Sequence, residues 1–126
     1  MRLVMLLLVG LGIALYVPRT RDVLMGYAMP VLNPALRWQT LHEMGSIADE
    51  VSAYERDNPG RIPPANTFPA WLRRNFTPGA AQDSWGGTYR LFLEAQTFAV
   101  VSWGPDHVPR TPDDLRVERS LNGTSR

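Results

Sequence analysis

Three carboxylates fall within nine residues near the end of the chain: Asp106, then the adjacent pair Asp113 and Asp114. The span that holds them contains Gly104, Pro105, Pro109 and Pro112. It cannot be a helix, and turns this dense can fold the three acids onto one point. Hard oxygen ligands converging from a tight loop, with carbonyls filling the remaining positions, are what Ca²⁺ takes. The spacing is not that of an EF-hand, because the alternating acids and the closing Glu are missing. The competing reading is a solvated acidic turn, in which Asp caps and bends the backbone. On spacing alone both stand.

Other chemistry finds little support. There is no cysteine, which excludes thiolate metal sites, thiol catalysis and disulfides. His42 and His107 are the only imidazoles and lie far apart. They form no Ser-His-Asp or His-Glu-x-x-His arrangement. Gly86-Gly87 lacks the Lys-Ser/Thr and following helix of a phosphate loop, so its glycines supply backbone geometry instead. No nucleophile–base pair is evident. Paired acids beside a hairpin are the one arrangement that could serve hydrolysis. The expectation is therefore a non-enzyme with no catalytic residue, no cofactor-binding residue and no small-molecule substrate. Twelve acids against thirteen bases give a formal charge of +1, which implies no nucleic-acid partner. All the basic residues are Arg, a compositional habit and not a site. Arg73-Arg74 reads as a solvated helix face. His42 reads as a surface or boundary residue, and His107 as crowding the loop or facing solvent.

Several elements must position the acidic loop. An uninterrupted apolar run covers 3–17, with Arg2 before it and Pro18-Arg19-Thr20-Arg21 after it. At helical rise it reaches about 22 Å, short of the ~30 Å hydrocarbon core. A helix this apolar would need protein on every side, which a domain this small cannot supply. A membrane segment or the apolar region of a signal peptide follows. No Ala-x-Ala pattern closes the run, which favours an uncleaved anchor with Tyr16 at the interface. A second apolar stretch, 23–32, is too short to span; it extends the membrane helix, lies in the interface or packs on the domain. The expected division is a membrane anchor and juxtamembrane segment over 1–32 and one small domain over 33–126.

Asn33-Pro34 reads as a helix start. From there Leu41, Met44, Ile47, Ala48, Val51 and Tyr54 recur at helical spacing, with Glu43, Asp49, Glu50, Glu55 and Arg56 off that stripe. Asp57-Asn58-Pro59-Gly60 stops the helix. A Pro-rich connection over 62–66 leads to a short helix over 68–76, with Phe68, Trp71 and Leu72 inward. Two strands follow around a turn at Glu94-Ala95-Gln96. Tyr89, Leu91 and Leu93 alternate in the first, and Phe98, Val100 and Ser102 in the second. Apolar residues on both faces predict burial between the helix and the C-terminal loop. A third, edge strand is expected over 115–119, its charges blunting the edge. Trp85 and Trp103 read as core aromatics.

The order of short motifs resembles the C-terminal half of the major pseudopilin of type II secretion. Asp83, Trp85, Gly86 and Tyr89 match that family's Asp-Pro-Trp-Gly-x-x-Tyr segment, with Ser84 where Pro is usual. Ser102, Gly104 and Asp106 match its Ser-x-Gly-x-Asp turn, and Thr111, Asp113, Asp114 and Leu115 its terminal acidic segment. Upstream, Tyr54, Asn58, Gly60, Arg61 and Pro63 resemble the family's helix exit, with Pro59 inserted and Ile62 in place of Tyr. The resemblance covers about 36–115. It implies an α+β, pilin-like fold: an N-terminal membrane helix and an amphipathic helix packed on a small antiparallel sheet. It also implies a structural subunit or accessory of a type II secretion or type IV pilus-like system. The domain would lie in the periplasm, held to the bacterial inner membrane by a single pass. Partners would be the membrane and other pseudopilins or secretion components. In the family's loop a structural Ca²⁺ takes side-chain oxygens at the positions of Asp106, Asp113 and Asp114, and main-chain carbonyls at those of Trp103 and Thr111. The family's Gly-Phe cleavage point and Thr-Leu-x-Glu are not found in 1–17, so the likeness extends to the domain and not to the usual route into a pseudopilus. The alternative is a free-standing anchored or exported binding module that reuses the fold.

Overall fold

The computed structural model describes residues 2–122, which divide between residues 35 and 36 into two compact units. In the first unit, α1 (Arg2–Tyr16) ends one residue before α2 (Pro18–Asp57) begins. The break follows from Pro18: its ring pushes Val17 away from helical backbone, while its own fixed φ suits the first position of a new helix. α1 carries no charge after Arg2, and its apolar side chains over 3–13 are open, with Leu3 74 % and Leu6 69 % exposed. Its 15 residues make about 22 Å at helical rise. Among the described residues no helix is both long and apolar enough to cross a membrane.

The expected helix start at Asn33-Pro34 is corrected, because α2 already runs from Pro18. Asn-Pro is a cap signal only where the preceding chain is not helical; here the turn before it is inside the helix, and Pro34 forfeits a single N–H donor.

In the second unit α2 buries one stripe: Thr40, Met44, Ile47, Ala48, Val51 and Glu55. The stripe sits one residue off the expected one at both ends. Leu41 is 37 % exposed while Thr40 is fully buried, and Glu55, expected at the surface, is 4 % exposed. α2 ends where expected: the Asn58 amide and side-chain Nδ2 both donate to the Tyr54 carbonyl (2.9 and 3.0 Å), and Gly60 takes φ +75°. These bonds satisfy a carbonyl that the helix end leaves open.

The Pro-rich connection includes one 3₁₀ turn (Ala65–Thr67) and delivers α3 (Phe68–Asn75), with Pro69 in its first turn. Phe68, Trp71 and Leu72 face inward as expected. The sheet is three-stranded and antiparallel, in the order β1 (Arg90–Leu93), β2 (Thr97–Ser102), β3 (Leu115–Ser120). A tight turn joins β1 to β2, with the Glu94 amide donating to Thr97 O at 2.8 Å. The class is therefore α+β, as expected.

Met44, Ile47 and Val51 of α2, Phe68 and Leu72 of α3, and Tyr89, Leu91, Phe98, Val100 and Leu115 of the sheet side form one core. β2, the central strand, is buried on both faces. β3 is the charged edge expected from the sequence, its burial alternating residue by residue. Its far end is fastened to α2: Asn122 donates its amide (2.9 Å) and Nδ2 (2.7 Å) to Glu55 Oε2, and Arg119 pairs with Asp49 at 3.1 Å. That clasp is why a carboxylate can be buried at position 55. The charge-assisted bonds replace the water it gives up.

Candidate functional site: the loop between β2 and β3

The acidic loop leaves β2 at Ser102 and re-enters the sheet at Leu115, two residues paired across the ladder. A loop pinned at both ends by one residue pair has little freedom in its span. The 3₁₀ turn Gly104–Asp106 follows Trp103 directly. Gly104 has φ +67°, and a Cβ there would run into the main-chain carbonyl of Asp113. The two arms of the loop touch at this point, and only Gly permits it.

Beyond the contact, the carboxylates organise the backbone. Asp106 Oδ1 accepts from the Val108 amide at 3.0 Å. Asp114 Oδ2 accepts from the Arg110 amide at 2.7 Å, and its Oδ1 from the Thr111 hydroxyl at 3.4 Å. The Val108 amide, and then the Thr111 hydroxyl, hold the Asp106 carboxyl below the usual range. The Thr111 hydroxyl lies within reach of both the Val108 carbonyl, at 3.3 Å, and Asp114 Oδ1. His107 and Arg110 both sit in the left-handed region, at φ 55° and 64°. That conformation is costly for Arg, and the bond to Asp114 holds it there.

The donor set is all hard oxygen: carboxylates, a hydroxyl and the carbonyls of an irregular loop. That chemistry suits Ca²⁺ better than zinc or copper. Among the described residues, however, no three His, Asp or Glu side chains are grouped so as to hold a metal ion. Asp106 bends the backbone at Val108 and Asp114 at Arg110 and Thr111, whereas Asp113 contributes its carbonyl to the contact with Gly104 and is exposed.

Asp83 supports the loop from below. It is 7 % exposed, and its Oδ1 accepts from the Trp85 and Gly87 amides at 3.0 and 2.8 Å. Its Oδ2 accepts from the buried Ser102 hydroxyl at 2.5 Å, and Ser102 Oγ in turn accepts from the Gly104 amide at 3.1 Å. A Cβ at Gly87 would lie 2.8 Å from Asp83 Oδ2 and 3.0 Å from His107 Nδ1, so this glycine is wedged between the support and the loop. His107 therefore crowds the structure beneath it while remaining exposed.

The same segment is bound to α2. The Thr40 hydroxyl donates to Ser84 Oγ at 2.7 Å and accepts from the Ser84 amide at 3.3 Å. Tyr89 OH donates to Glu43 Oε2 at 3.2 Å. Burial raises the Glu43 carboxyl above its ordinary range, opposed by the Tyr89 bond and reinforced by Asp83; burial and the Glu43 charge push the Tyr89 phenol up. Sequence reasoning missed Thr40 and Glu55 as polar members of the interior, and the half-buried Glu43 as the partner of Tyr89, since each lies on a helix among solvated polar residues. Ser84 was visible only as the position where the resembled family carries Pro.

Trp103 is not a core residue. It is half-buried on the outer face of the sheet, with the Arg90 guanidinium 3.7 Å above its ring. Strand alternation sends Ser102 inward and its neighbour outward. Trp85 packs against the core as expected. His42 lies at the surface, stacked on Trp38 with ring centres 5.7 Å apart. Comparison with protein-family models, with curated proteins and with solved structures gave no match.

Proposed function

We propose that this chain is a membrane-anchored, pseudopilin-like structural protein: a subunit or accessory of a type II secretion or type IV pilus-like machine, working without catalysis. The observation that carries this reading is the hydrogen-bonded relay from Asp83 through Ser102 to Gly104. It couples two motifs, nineteen residues apart, that the resemblance picks out independently. A polar support beneath an otherwise irregular loop has a purpose if that loop must keep one shape. The exposed apolar α1 supports an anchor; the inner membrane and the placement of the domain outside the cytoplasm rest on the resemblance.

In this reading Ca²⁺ is architectural. Asp106, Asp113 and Asp114 would hold it with their carboxylates, and Trp103 and Thr111 with their carbonyls. The ion would neutralise acids that otherwise repel and would satisfy loop carbonyls. Thermal unfolding of the detergent-solubilised chain in Ca²⁺, Mg²⁺ or chelator tests it. Ca²⁺ at a hundred times its dissociation constant should add about 2.7 kcal/mol. Mg²⁺ should do less, because it resists dehydration and demands a stricter octahedron. Asp113→Ala should remove most of the gain and leave metal-free stability nearly unchanged, since among the described residues the Asp113 carboxylate makes no hydrogen bond. A midpoint indifferent to millimolar Ca²⁺ would leave the acids as turn formers.

A further inference from the structure

The outer face of the sheet carries a groove of about 410 Å³, lined by Phe92, Val101, Trp103, Pro109, Arg110, Asp114 and Arg116. Its construction follows from the register. Arg90, Val101 and Arg116 form one row across the three strands, and Phe92, Ala99 and Glu118 the next. The small central residues are the floor: Val101 is 6 % exposed although it faces away from the core. Phe92, 45 % exposed, is one wall. Trp103 and Pro109 form the other, where the loop folds back over the strand.

The charges around the groove are unevenly satisfied. Arg116 is paired with Glu94 and Glu118. Asp114 is turned to the loop, where the Arg110 amide and the Thr111 hydroxyl occupy its two oxygens. Arg90 lies flat on Trp103, and neither Arg90 nor Arg110 has an acid partner among the described residues. Arg110 is, moreover, held in a left-handed backbone conformation at the groove rim. An apolar floor between aromatic walls, with one lining guanidinium, that of Arg110, unpaired among the described residues, complements an apolar side chain beside a carboxylate.

We propose that this groove is a docking site for an acidic, apolar peptide segment of a protein partner: an aromatic or branched side chain on Val101 between Phe92 and Trp103, with its neighbouring carboxylate on Arg110. The site needs no bound cation, and it goes beyond the structural role proposed above. Arg and Trp together are the residue types that dominate such interfaces.

The test uses the full chain in a non-ionic detergent, with chelator present so that the cation plays no part. Amide and indole N–H resonances are followed while Ac-Glu-Phe-Leu-Glu-NH2 or its Gln counterpart, Ac-Gln-Phe-Leu-Gln-NH2, is added. The acidic peptide should give saturable shifts at Val101, Arg110 and the Trp103 indole, and should bind about tenfold more tightly than the Gln peptide, as expected for a charge-assisted pair. Arg110→Gln should erase the difference between the peptides while the rest of the spectrum stays in place. Phe92→Ser should weaken both peptides alike. Equal affinity for the two peptides, an Arg110→Gln variant that binds as the parent does, or no saturable shift at millimolar peptide would each overturn the proposal. Shifts at the same residues on concentrating the protein alone would assign the groove to a second copy and overturn it as well.

Discussion

Gly104 and Glu43 show how much a single residue can decide here. An alanine at 104 would carry a positive φ, at about 1–2 kcal/mol, and its Cβ would meet a backbone carbonyl that cannot rotate away. Gly104→Ala should therefore lower the unfolding midpoint and disturb the amide signals of both arms of the loop. A variant as stable as the parent would mean that the two arms do not touch in solution. Glu43 works in the opposite sense. Its carboxyl is raised in the folded state, chiefly by burial. A raised carboxyl contributes stability below its unfolded pKa, and that contribution is lost as pH rises through the folded value. At neutral pH the group is a net cost, only partly offset by the Tyr89 hydroxyl. Glu43→Gln keeps an acceptor for Tyr89 and removes the charge. It should stabilise the protein at pH 7, with the gain fading as the medium is acidified toward the carboxylate range. A gain of equal size at both ends of that range would count against this account.

At the scale of elements, the fold depends on how β3 is tied back to α2. Glu55 is buried with two hydrogen bonds from one residue, Asn122, which also reaches the Ser52 carbonyl at 3.3 Å. Asn122→Ala removes the side-chain donor, leaves a buried carboxylate short of a partner, and should cost about 1–3 kcal/mol. Glu55→Ala should cost less when Asn122 is already alanine than when it is present. Chemical denaturation of the two single variants and the double variant measures that coupling. Strict additivity would mean that the clasp is ornamental and that β3 is held by the ladder alone. The Arg119–Asp49 pair is a weaker second tie, since its side chains are 40 % and 69 % exposed and such solvent-accessible pairs contribute about 0–1 kcal/mol.

For the molecule as a whole, the central question is what covers α1. Its apolar side chains are exposed along the described helix, and a lipid environment would remove them from water. The chain should stay with the membrane fraction through a high-salt wash, be released by detergent, and show the mass of the full sequence. Replacing both Leu7 and Leu11 with Arg, each substitution costing about 2.5–3.5 kcal/mol at the centre of a bilayer, should shift it to the soluble fraction. Parent protein found mainly in the soluble fraction, or a mass that begins beyond Tyr16, would rule out the anchor.

Much of this architecture was legible from the chain because it is written in local signals. The stop at Asp57-Asn58-Pro59-Gly60, the inward face of α3, the hairpin turn at 94–96 and the charged edge over 115–119 each depend on residues within a few positions of one another. Pro, Gly and the period of apolar residues report such features directly. The acidic loop could be placed for the same reason, although its internal bonds could not. Only the tertiary structure decided that the buried stripe of α2 runs through Thr40 and Glu55, and that Trp103 lies on the outer face under Arg90. It alone joined Ser84 to Thr40 across 44 residues, Tyr89 to Glu43 across 46, and Glu55 to Asn122 across 67. A polar residue on a helix reads as solvated until a partner from elsewhere in the chain arrives to satisfy it, and no local pattern announces that partner. The distinction between a solvated acid and a buried, hydrogen-bonded one is therefore a property of the packed molecule.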